Sequence, residues 1–220
     1  MPGKESAIRR TSSQPATASA YEVVTQRLTF PTGDLRVLQP SDAADLPDDG
    51  PVEWAPLVPY WSVLWRSGVA LARELVDADV AGLHIVELGC GLAVPSLVAA
   101  RAGAAVLATD ASPEALELVE RNTRENGVGV ATACVDWEAP DELVARGPFD
   151  LVLASDVLYE RQAVETLLSL LPRLGGKAWL ADPGRPAADA FLEQARRDWS
   201  VTASRRDGID RYRLSHVRTR

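Results

Sequence analysis

One short stretch constrains the fold more than any other, because it places an acid and two glycines between two apolar runs. The stretch is Glu87-Leu88-Gly89-Cys90-Gly91, and Asp110 comes 19 positions after Gly91. Glycines let the backbone turn tightly and approach a ligand closely. A carboxylate at the tip of the next strand can accept hydrogen bonds from ribose hydroxyls. The pattern predicts a nucleotide-type cofactor site at the first crossover of a parallel sheet.

The details of this turn disfavour a dinucleotide. A dinucleotide fingerprint would place a third glycine at position 94, which is Val94 here. Glu87 stands two residues before the first glycine, where a carboxylate would repel a pyrophosphate. S-adenosylmethionine has no phosphate, and its methionine end carries an ammonium beside a sulfonium. We therefore predict that the turn binds S-adenosylmethionine and not NAD, with Glu87 contacting the methionine end directly or through water.

Strand-like and helix-like patterns alternate along the rest of the chain. The strand over Asp150–Ala154 is almost continuously apolar, as buried parallel strands are. Ser112 and Pro113 form a typical helix start. Predicted strands cover 84–88, 105–109, 130–135, 149–155, 177–182, 199–205 and 211–217, and predicted helices cover 65–78, 95–102, 113–126, 160–172 and 187–197. The sequence thus predicts an α/β fold with a doubly wound, seven-stranded, mostly parallel sheet whose last two strands are antiparallel.

The chain divides into three predicted parts. Residues 1–20 are rich in Ser, Thr, Ala, Pro and Arg, have no periodic pattern, and are expected to be a disordered tail. Residues 21–55 are predicted as an N-terminal β extension and loop, with a β-hairpin over 21–38. Residues 56–220 form the predicted main domain.

Composition limits the kinds of partner. The net charge is −8, which argues against a nucleic-acid partner, because phosphate neutralisation supplies most of that affinity. An acidic body suits a cationic partner, and a merely solubilising surface explains the charge equally well. Cys90 and Cys134 are too few for a disulfide framework or a metal cluster, so we predict no metal. No long apolar run or signal core is present, so we expect a cytoplasmic protein without a membrane partner.

Acidic residues end every predicted parallel strand. Ligands of such sheets lie outside the carboxyl ends of the strands, so these tips are the candidate site. The tips are Glu87–Gly91, Asp110, Asp136-Trp137, Ser155–Tyr159 and Asp182–Arg185.

Four motifs resemble the seven-strand, S-adenosylmethionine-dependent methyltransferases. They are Pro59–Gly68, Glu87–Gly91, Asp156–Tyr159 and Ala181–Pro186. More narrowly, the motifs resemble the lysine methyltransferase-like group, also described as predicted nicotinamide N-methyltransferases. Within it they are most similar to the methyltransferases of the electron-transfer flavoprotein β-subunit. Two positions depart from the pattern: Arg66 stands where Pro is usual and should add a positive charge near the methyl donor, and Ala93, in place of a third glycine, should be tolerated.

The resemblance implies roles for the residues at the strand tips. Asp156 and Tyr159 would line the acceptor channel and act in catalysis. The cofactor-binding residues would be Glu87, Gly89 and Gly91 at the methionine end, Asp110 at the ribose, Asp136 and Trp137 at the adenine, Trp65 packed against the cofactor, and Cys90 and Ser155 beside it. Simpler explanations stay open: Trp137 and Tyr159 could be core residues, Asp156 could be an acid at a helix start, and Asp182 and Arg185 could pair only with each other.

Three functions are compatible with these residues. A protein-lysine methyltransferase is favoured by the acidic strand tips and by the resemblance, with a protein substrate that has an accessible lysine, the electron-transfer flavoprotein β-subunit among them. A small-molecule N- or O-methyltransferase with a nicotinamide-like acceptor is the second. A cofactor-binding scaffold without catalysis is the third. We expect a monomer.

Overall fold

The computed structural model describes residues 22–44, 59–159 and 161–217. Its strands are β1 (Val23–Phe30), β2 (Gly33–Pro40), β3 (His84–Leu88), β4 (Ala105–Asp110), β5 (Val130–Cys134), β6 (Leu151–Ser155), β7 (Lys177–Asp182), β8 (Trp199–Arg206) and β9 (Ile209–His216). Its helices are α1 (Ser41–Ala44), α2 (Arg66–Val76), α3 (Val94–Arg101), α4 (Pro113–Asn126), α5 (Asp141–Val144), α6 (Arg161–Leu174) and α7 (Pro186–Ala195), and a 3-10 turn covers Tyr60–Ser62.

Seven strands form one sheet in the order β5-β4-β3-β6-β7-β9-β8. Strands β3 to β7 are parallel, and β9 runs antiparallel to both β7 and β8. This topology confirms the predicted doubly wound sheet. The chain order reverses between β3 and β6, and a crevice opens outside the carboxyl ends of the strands at such a point.

The central strands are buried on both faces, which explains their continuously apolar sequence. Along β6, Leu151 and Leu153 pack in the core cluster that contains α2 and α3, whereas Val152 and Ala154 pack in the cluster that contains α6 and α7. Alternate side chains of one strand therefore build two separate cores. The rigid sheet between them fixes the positions of the loops that come after each strand.

The N-terminal hairpin of β1 and β2 stays separate from the main sheet. It is held by two amide side chains of α4. Asn122 accepts a hydrogen bond from the Leu38 N–H at 2.7 Å and donates one to the Leu38 carbonyl at 3.3 Å. Asn126 does the same with Arg36, at 2.9 Å and 2.6 Å. The outer edge of β2 thus bonds to side chains instead of to another strand.

Some predicted boundaries differ from the structure. Helices α1 and α5 are single turns, too short to give a periodic pattern. Helix α6 continues past Pro172 to Leu174, because Leu171 and Leu174 remain buried in the core on either side of the proline. The predicted tail over 1–20 and the predicted boundary between residues 55 and 56 lie outside the described residues.

Among the helices of the described residues, none is long and apolar enough to cross a lipid bilayer.

Candidate active site

A cavity of about 710 Å³ opens at the carboxyl ends of the parallel strands. Its walls come from the turns after β3, β4, β5 and β6, from the start of α6, and from the segment Pro59–Trp65. All the predicted site residues except Glu87 line it, namely Trp65, Gly89, Cys90, Gly91, Asp110, Asp136, Trp137, Ser155, Asp156 and Tyr159. The topology therefore brings together groups that are far apart in the sequence.

The glycine turn after β3 has a left-handed backbone. Gly89 and Gly91 have φ of 59° and 49°. A Cβ at Gly89 would lie 3.1 Å from Val157 Cγ1, and a Cβ at Gly91 would lie 3.1 Å from the Trp61 carbonyl oxygen. Only glycine fits both the backbone conformation and the space. Ala93 also has a positive φ, 58°, so the chain tolerates the methyl group at this third position, as expected.

Glu87 is fully buried beneath the turn. Its Oε2 atom accepts hydrogen bonds from the Ser96 N–H, at 3.0 Å, and from the Ser96 hydroxyl, while Oε1 has no partner among the described residues. Burial raises the pKa of Glu87 to about 8, and the nearby Asp110 adds to the rise. The side chain does not line the cavity, so a direct contact with a ligand is not part of this arrangement and a water-mediated contact stays a prediction.

Asp110 lies at the tip of β4 and faces the cavity. Its Oδ2 atom accepts a hydrogen bond from the Gly91 N–H at 2.9 Å, and Oδ1 accepts one from the Ser112 N–H at 3.0 Å. Burial raises its pKa, and these N–H groups oppose the rise. Each carboxylate oxygen can accept a second hydrogen bond. The residue can therefore close the glycine turn and bind hydroxyl groups of a ligand at the same time.

The tip of β5 supplies a carboxylate and an indole. Asp136 Oδ1 accepts a hydrogen bond from the Glu138 N–H at 2.9 Å. Trp137 packs against the core and also lines the cavity, so the alternative between a core residue and a site residue is not exclusive. Its ring lies 3.5 Å from where a Cβ on Gly89 would be. Close packing of this indole on the glycine turn is a second reason for glycine at position 89.

The aromatic segment before α2 forms one wall of the cavity. Trp65 Nε1 donates a hydrogen bond to the Tyr60 carbonyl at 2.9 Å, which fixes the indole against the 3-10 turn. Arg66, the first residue of α2, donates to the Asp207 carbonyl at 3.0 Å and does not line the cavity. The expected positive charge in the pocket is thus a wrong prediction, because the guanidinium reaches the β8–β9 turn instead.

A triad of charged side chains lies at the tips of β6 and β7. Arg185 Nη1 contacts Asp156 Oδ1 at 2.6 Å and Asp182 Oδ2 at 3.2 Å. Burial raises the pKa of Asp156, and the Arg185 guanidinium opposes the rise. Two simpler explanations are wrong. Arg185 does not pair with Asp182 alone, since it also contacts Asp156. Asp156 is not an acid at a helix start, because α6 begins five residues later, at Arg161.

Tyr159 stands at the mouth of the cavity. It is 48% exposed, so it does not cap the core. Its ring stacks on that of Tyr60, with centroids 5.4 Å apart and planes inclined by 20°. The sequence pattern did not indicate Tyr60 as a site residue, although it lies inside the motif Pro59–Gly68. Nor did the pattern indicate Arg185 as a partner of Asp156.

The small residues beside the turn also line the cavity. Cys90 is buried, and burial raises the pKa of its thiol well above the usual range. The Ser155 hydroxyl lies 3.4 Å from where a Cβ on Gly68 would be, so α2 approaches the tip of β6 closely. Neither residue carries a charge at neutral pH, and both can contribute to the shape of the cavity floor.

Comparisons with known proteins agree with this geometry. A sequence profile described as lysine methyltransferase matches residues 61–179, which is more than half of the chain. The chain is 33% identical over 160 residues to the electron transfer flavoprotein beta subunit lysine methyltransferase of Xenopus laevis, covering 69% of this chain and 62% of that protein. It is 33% identical over 115 residues to the histone-arginine methyltransferase METTL23 of the same organism, covering 50% of this chain and 49% of that protein. The chain thus spans less than two thirds of the length of these curated relatives.

Solved structures share the fold. The magnesium protoporphyrin IX methyltransferase of Synechocystis PCC 6803 with bound S-adenosylmethionine superposes with a TM-score of 0.54 at 18% identity, covering 69% of this chain and 79% of that chain. At this level of identity the similarity concerns the fold alone.

Proposed function

Because the chain belongs to the lysine methyltransferase family, an S-adenosylmethionine-dependent family, we propose that it methylates a lysine side chain of a protein. The family assignment agrees with the resemblance carried by the four motifs. The observation that supports a lysine acceptor is Asp156, a residue that lines the cavity and whose buried Oδ2 atom has no hydrogen-bond partner among the described residues.

The residues of the cavity fit S-adenosylmethionine. Asp110 would bind the ribose hydroxyls, because both of its oxygens retain a free lone pair beside the N–H groups they already accept. Trp137 and Asp136 would bind the adenine, Trp65 would pack on the cofactor, and Cys90 and Ser155 would border it. The bound cofactor supplies a methyl group activated by a sulfonium. Glu87, buried under the turn, is largely protonated at neutral pH because burial raises its pKa to about 8, and the positive charges of this ligand would lower that pKa and favour the carboxylate.

At the acceptor end, the protein's task is capture and positioning. A lysine of pKa about 10.4 must lose its proton, which costs roughly 4.6 kcal/mol at pH 7. Asp156 attracts the ammonium and so raises the pKa of the lysine, and burial in the cavity lowers it. We assign Asp156 to capture and orientation of the acceptor, with the proton passing to water. Because Oδ2 is buried, an acceptor that reaches it must displace a neighbouring side chain.

Tyr159 would contact the acceptor beside Asp156. Its ring is half-exposed at the mouth and stacked on Tyr60. A cation near the face of a tyrosine ring is attracted by about 0.5–2 kcal/mol. The two aromatic rings and the carboxylate together would select a long cationic side chain, and this combination is less suited to a neutral small molecule.

The direct test is to incubate the protein with tritiated S-adenosylmethionine and a cell lysate. We expect the label in protein, and in methyllysine after acid hydrolysis. Purified electron-transfer flavoprotein β-subunit is the first defined acceptor to test, because the name of a relative gives it as that protein's substrate. Label found only in small molecules would favour the small-molecule methyltransferase, label in methylarginine would change the acceptor class, and no label with intact cofactor binding would favour a scaffold.

The role of Asp156 is tested by Asp156→Asn, which keeps the size and removes the charge. Turnover on protein should fall at least tenfold, because a charge-assisted hydrogen bond contributes roughly 1.5–3 kcal/mol. Affinity for S-adenosylhomocysteine, measured by calorimetry, should stay nearly unchanged. Asp79→Asn is the matched control, since Asp79 is an exposed carboxylate that precedes β3, at the opposite ends of the parallel strands. Unchanged turnover of Asp156→Asn, or lost cofactor binding, would contradict the acceptor role.

A further inference from the structure

One arginine joins the tips of two neighbouring strands. A single nitrogen of Arg185 contacts carboxylates of Asp156, after β6, and of Asp182, at the end of β7. The Asp182 carboxylate is 2% exposed and that of Asp156 is 8% exposed, so both ion pairs are shielded from water. Removing one partner of such a buried pair leaves an uncompensated charge, which is costly.

The arginine is itself held in place. Asp182 Oδ1 accepts hydrogen bonds from the N–H groups of Gly184 and Arg185, at 2.8 Å and 2.7 Å. Pro186 then begins α7. The backbone that carries the guanidinium is therefore pinned to β7 before the side chain crosses to β6. This arrangement limits the freedom of the arginine side chain to leave Asp156.

Asp156 needs such support, because its backbone is in a left-handed conformation. Its φ is 58°, a region that a residue other than glycine occupies at a cost of about 1–2 kcal/mol. The Asp156 N–H donates to the Ala181 carbonyl at 3.0 Å. The guanidinium takes only Oδ1, and Oδ2 is left buried without a hydrogen-bond partner among the described residues. The contact with Arg185 thus fixes the carboxylate through Oδ1. The Ser67 hydroxyl is close enough to lower the pKa of the same carboxylate, yet it makes no hydrogen bond to Oδ2.

We propose that Arg185 is a positioning residue for methyl transfer: it holds the Asp156 carboxylate in one orientation and leaves Oδ2 for the ammonium of the acceptor. The proposal rests on the acceptor role of Asp156 described above. Arg185 acts through Asp156 and is not a contact of the reacting atoms.

The charges around Asp156 predict how it responds to pH. Burial raises its pKa, Arg185 and the Ser67 hydroxyl on α2 oppose that rise, and Asp182 from the neighbouring strand adds to it. Without Arg185, the pKa of Asp156 should rise further. The folded protein would then bind a proton at Asp156 more tightly than the unfolded chain does, so stability should be lost as pH increases and regained as pH decreases.

The first test uses stability and needs no acceptor. Arg185→Met should lower the melting temperature more at pH 8 than at pH 5. Adding Asp156→Asn should remove part of this pH dependence, because Asp182 also loses its guanidinium partner. Arg205→Met is the matched control, because Arg205 forms an equally short 2.6 Å pair with Asp210 at an exposed position. A deficit that is the same at pH 5 and pH 8 would overturn the electrostatic coupling. If Arg185→Met does not fold, Arg185→Lys and Arg185→Gln are compared in its place.

The second test uses turnover on the labelled protein acceptor. Arg185→Met should lower kcat/KM at least tenfold through a higher KM for the acceptor, with S-adenosylhomocysteine affinity within twofold of the parent. On the acid side, the fall of kcat/KM should occur at least one pH unit higher than in the parent, because Asp156 is protonated more easily without Arg185. Arg185→Lys should recover part of the activity. Loss of activity without the shifted ionisation, or with no recovery in the lysine variant, would overturn the positioning role.

The two tests also separate this proposal from the proposed function. If the parent protein labels no protein, the acceptor role of Asp156 fails and the positioning role fails with it. The stability series would still show whether Arg185 and Asp156 are coupled. If the parent labels lysine and Arg185→Met behaves like the parent, only the proposal for Arg185 is wrong.

Discussion

The two halves of the cavity treat buried acids differently. On the cofactor side, the groups of the described residues that donate hydrogen bonds to Glu87 and Asp110 are neutral, namely N–H groups and a hydroxyl. On the acceptor side, Asp156 and Asp182 share the guanidinium of Arg185. The same residue type is thus surrounded by dipoles on one side and by a full charge on the other.

This difference separates two uses of a carboxylate. Neutral donors orient a carboxyl group without offsetting its charge, so burial leaves Glu87 largely protonated at neutral pH, and the ammonium and sulfonium of S-adenosylmethionine would favour its charged form. A guanidinium orients a carboxylate more strongly and cancels part of its field. The charged form of an acid in the cofactor half therefore depends on the ligand, whereas in the acceptor half a guanidinium of the protein supports it. Substitutions in each half test that division.

The largest effect is expected at the glycine turn of the cofactor half. Gly91→Ala should lower the free energy of unfolding by about 3 kcal/mol, because it combines a left-handed backbone with a Cβ 3.1 Å from the Trp61 carbonyl oxygen. Urea unfolding measures it. Gly127→Ala is the control: it also has a positive φ, but nothing lies within 4 Å of its Cβ, so about 1 kcal/mol is expected. Equal losses would show that the close contact is unimportant.

The next effect concerns proton binding by Glu87. The folded state raises its pKa to about 8 from 4.5, so the free energy of unfolding should fall as pH rises between these values, by at most about 1.4 kcal/mol per pH unit. Glu87→Gln should remove that slope, as measured by urea unfolding at several pH values. Asp156→Asn should remove less, because Arg185 already opposes the rise there. A larger effect for Asp156 would reverse the comparison between the halves.

An effect on ligand binding that is smaller than the stability loss of Gly91→Ala is expected for Asp110. Asp110→Ala should weaken binding of S-adenosylhomocysteine by about 1.5–3 kcal/mol, since a charged acceptor for the ribose hydroxyls is lost. Asp110→Asn should lose less, because one carbonyl oxygen can still accept hydrogen bonds. Calorimetry with S-adenosylhomocysteine and with NAD measures this, and NAD should bind more weakly than S-adenosylhomocysteine to the parent. Unchanged affinity in Asp110→Ala would remove Asp110 from the ribose site.

The smallest effect is expected at the mouth of the acceptor half. Tyr159→Phe should change the acceptor KM less than Tyr159→Ala, if the ring face matters more than the hydroxyl. Tyr60→Ala should weaken acceptor binding about as much as Tyr159→Ala does, by about 0.5–1.5 kcal/mol, because the two rings stack. Steady-state kinetics with the labelled acceptor decide it. A phenylalanine variant as impaired as the alanine variant would assign the effect to the hydroxyl.

Features that arise from local pattern could be predicted from the sequence. The apolar run of β6 and the start of α4 at Ser112 are both found, with the Ser112 hydroxyl accepting a hydrogen bond from the Ala115 N–H at 3.1 Å. The acids at the strand tips converge because parallel strands all end at one edge of the sheet. These features depend on neighbours in the chain and on one rule of topology.

Features that depend on side-chain direction could not be predicted in this way. Arg66 and Arg185 both stand near the predicted site, yet one reaches the Asp207 carbonyl and the other reaches Asp156. The spacing of apolar residues along the sequence does not indicate the direction in which a long arginine side chain extends. The left-handed backbone of Asp156 is also invisible to pattern reasoning, because Asp is tolerated but not required there. Tyr60 could have been found only from its density of aromatic neighbours.

The two side-chain amides that hold the N-terminal hairpin are spaced to match alternate residues of β2. Asn122 and Asn126 are four residues apart on a helix, which is about 6.0 Å along its axis. They form hydrogen bonds with the backbone of Leu38 and Arg36, which are about 6.7 Å apart along a strand. The two spacings nearly coincide. If β2 slipped by one residue, the peptide groups that now bond to α4 would point towards β1 instead. The two asparagines of α4 therefore fix the register of β2, a strand that is not part of the main sheet. It also covers an edge that could otherwise pair with a second chain.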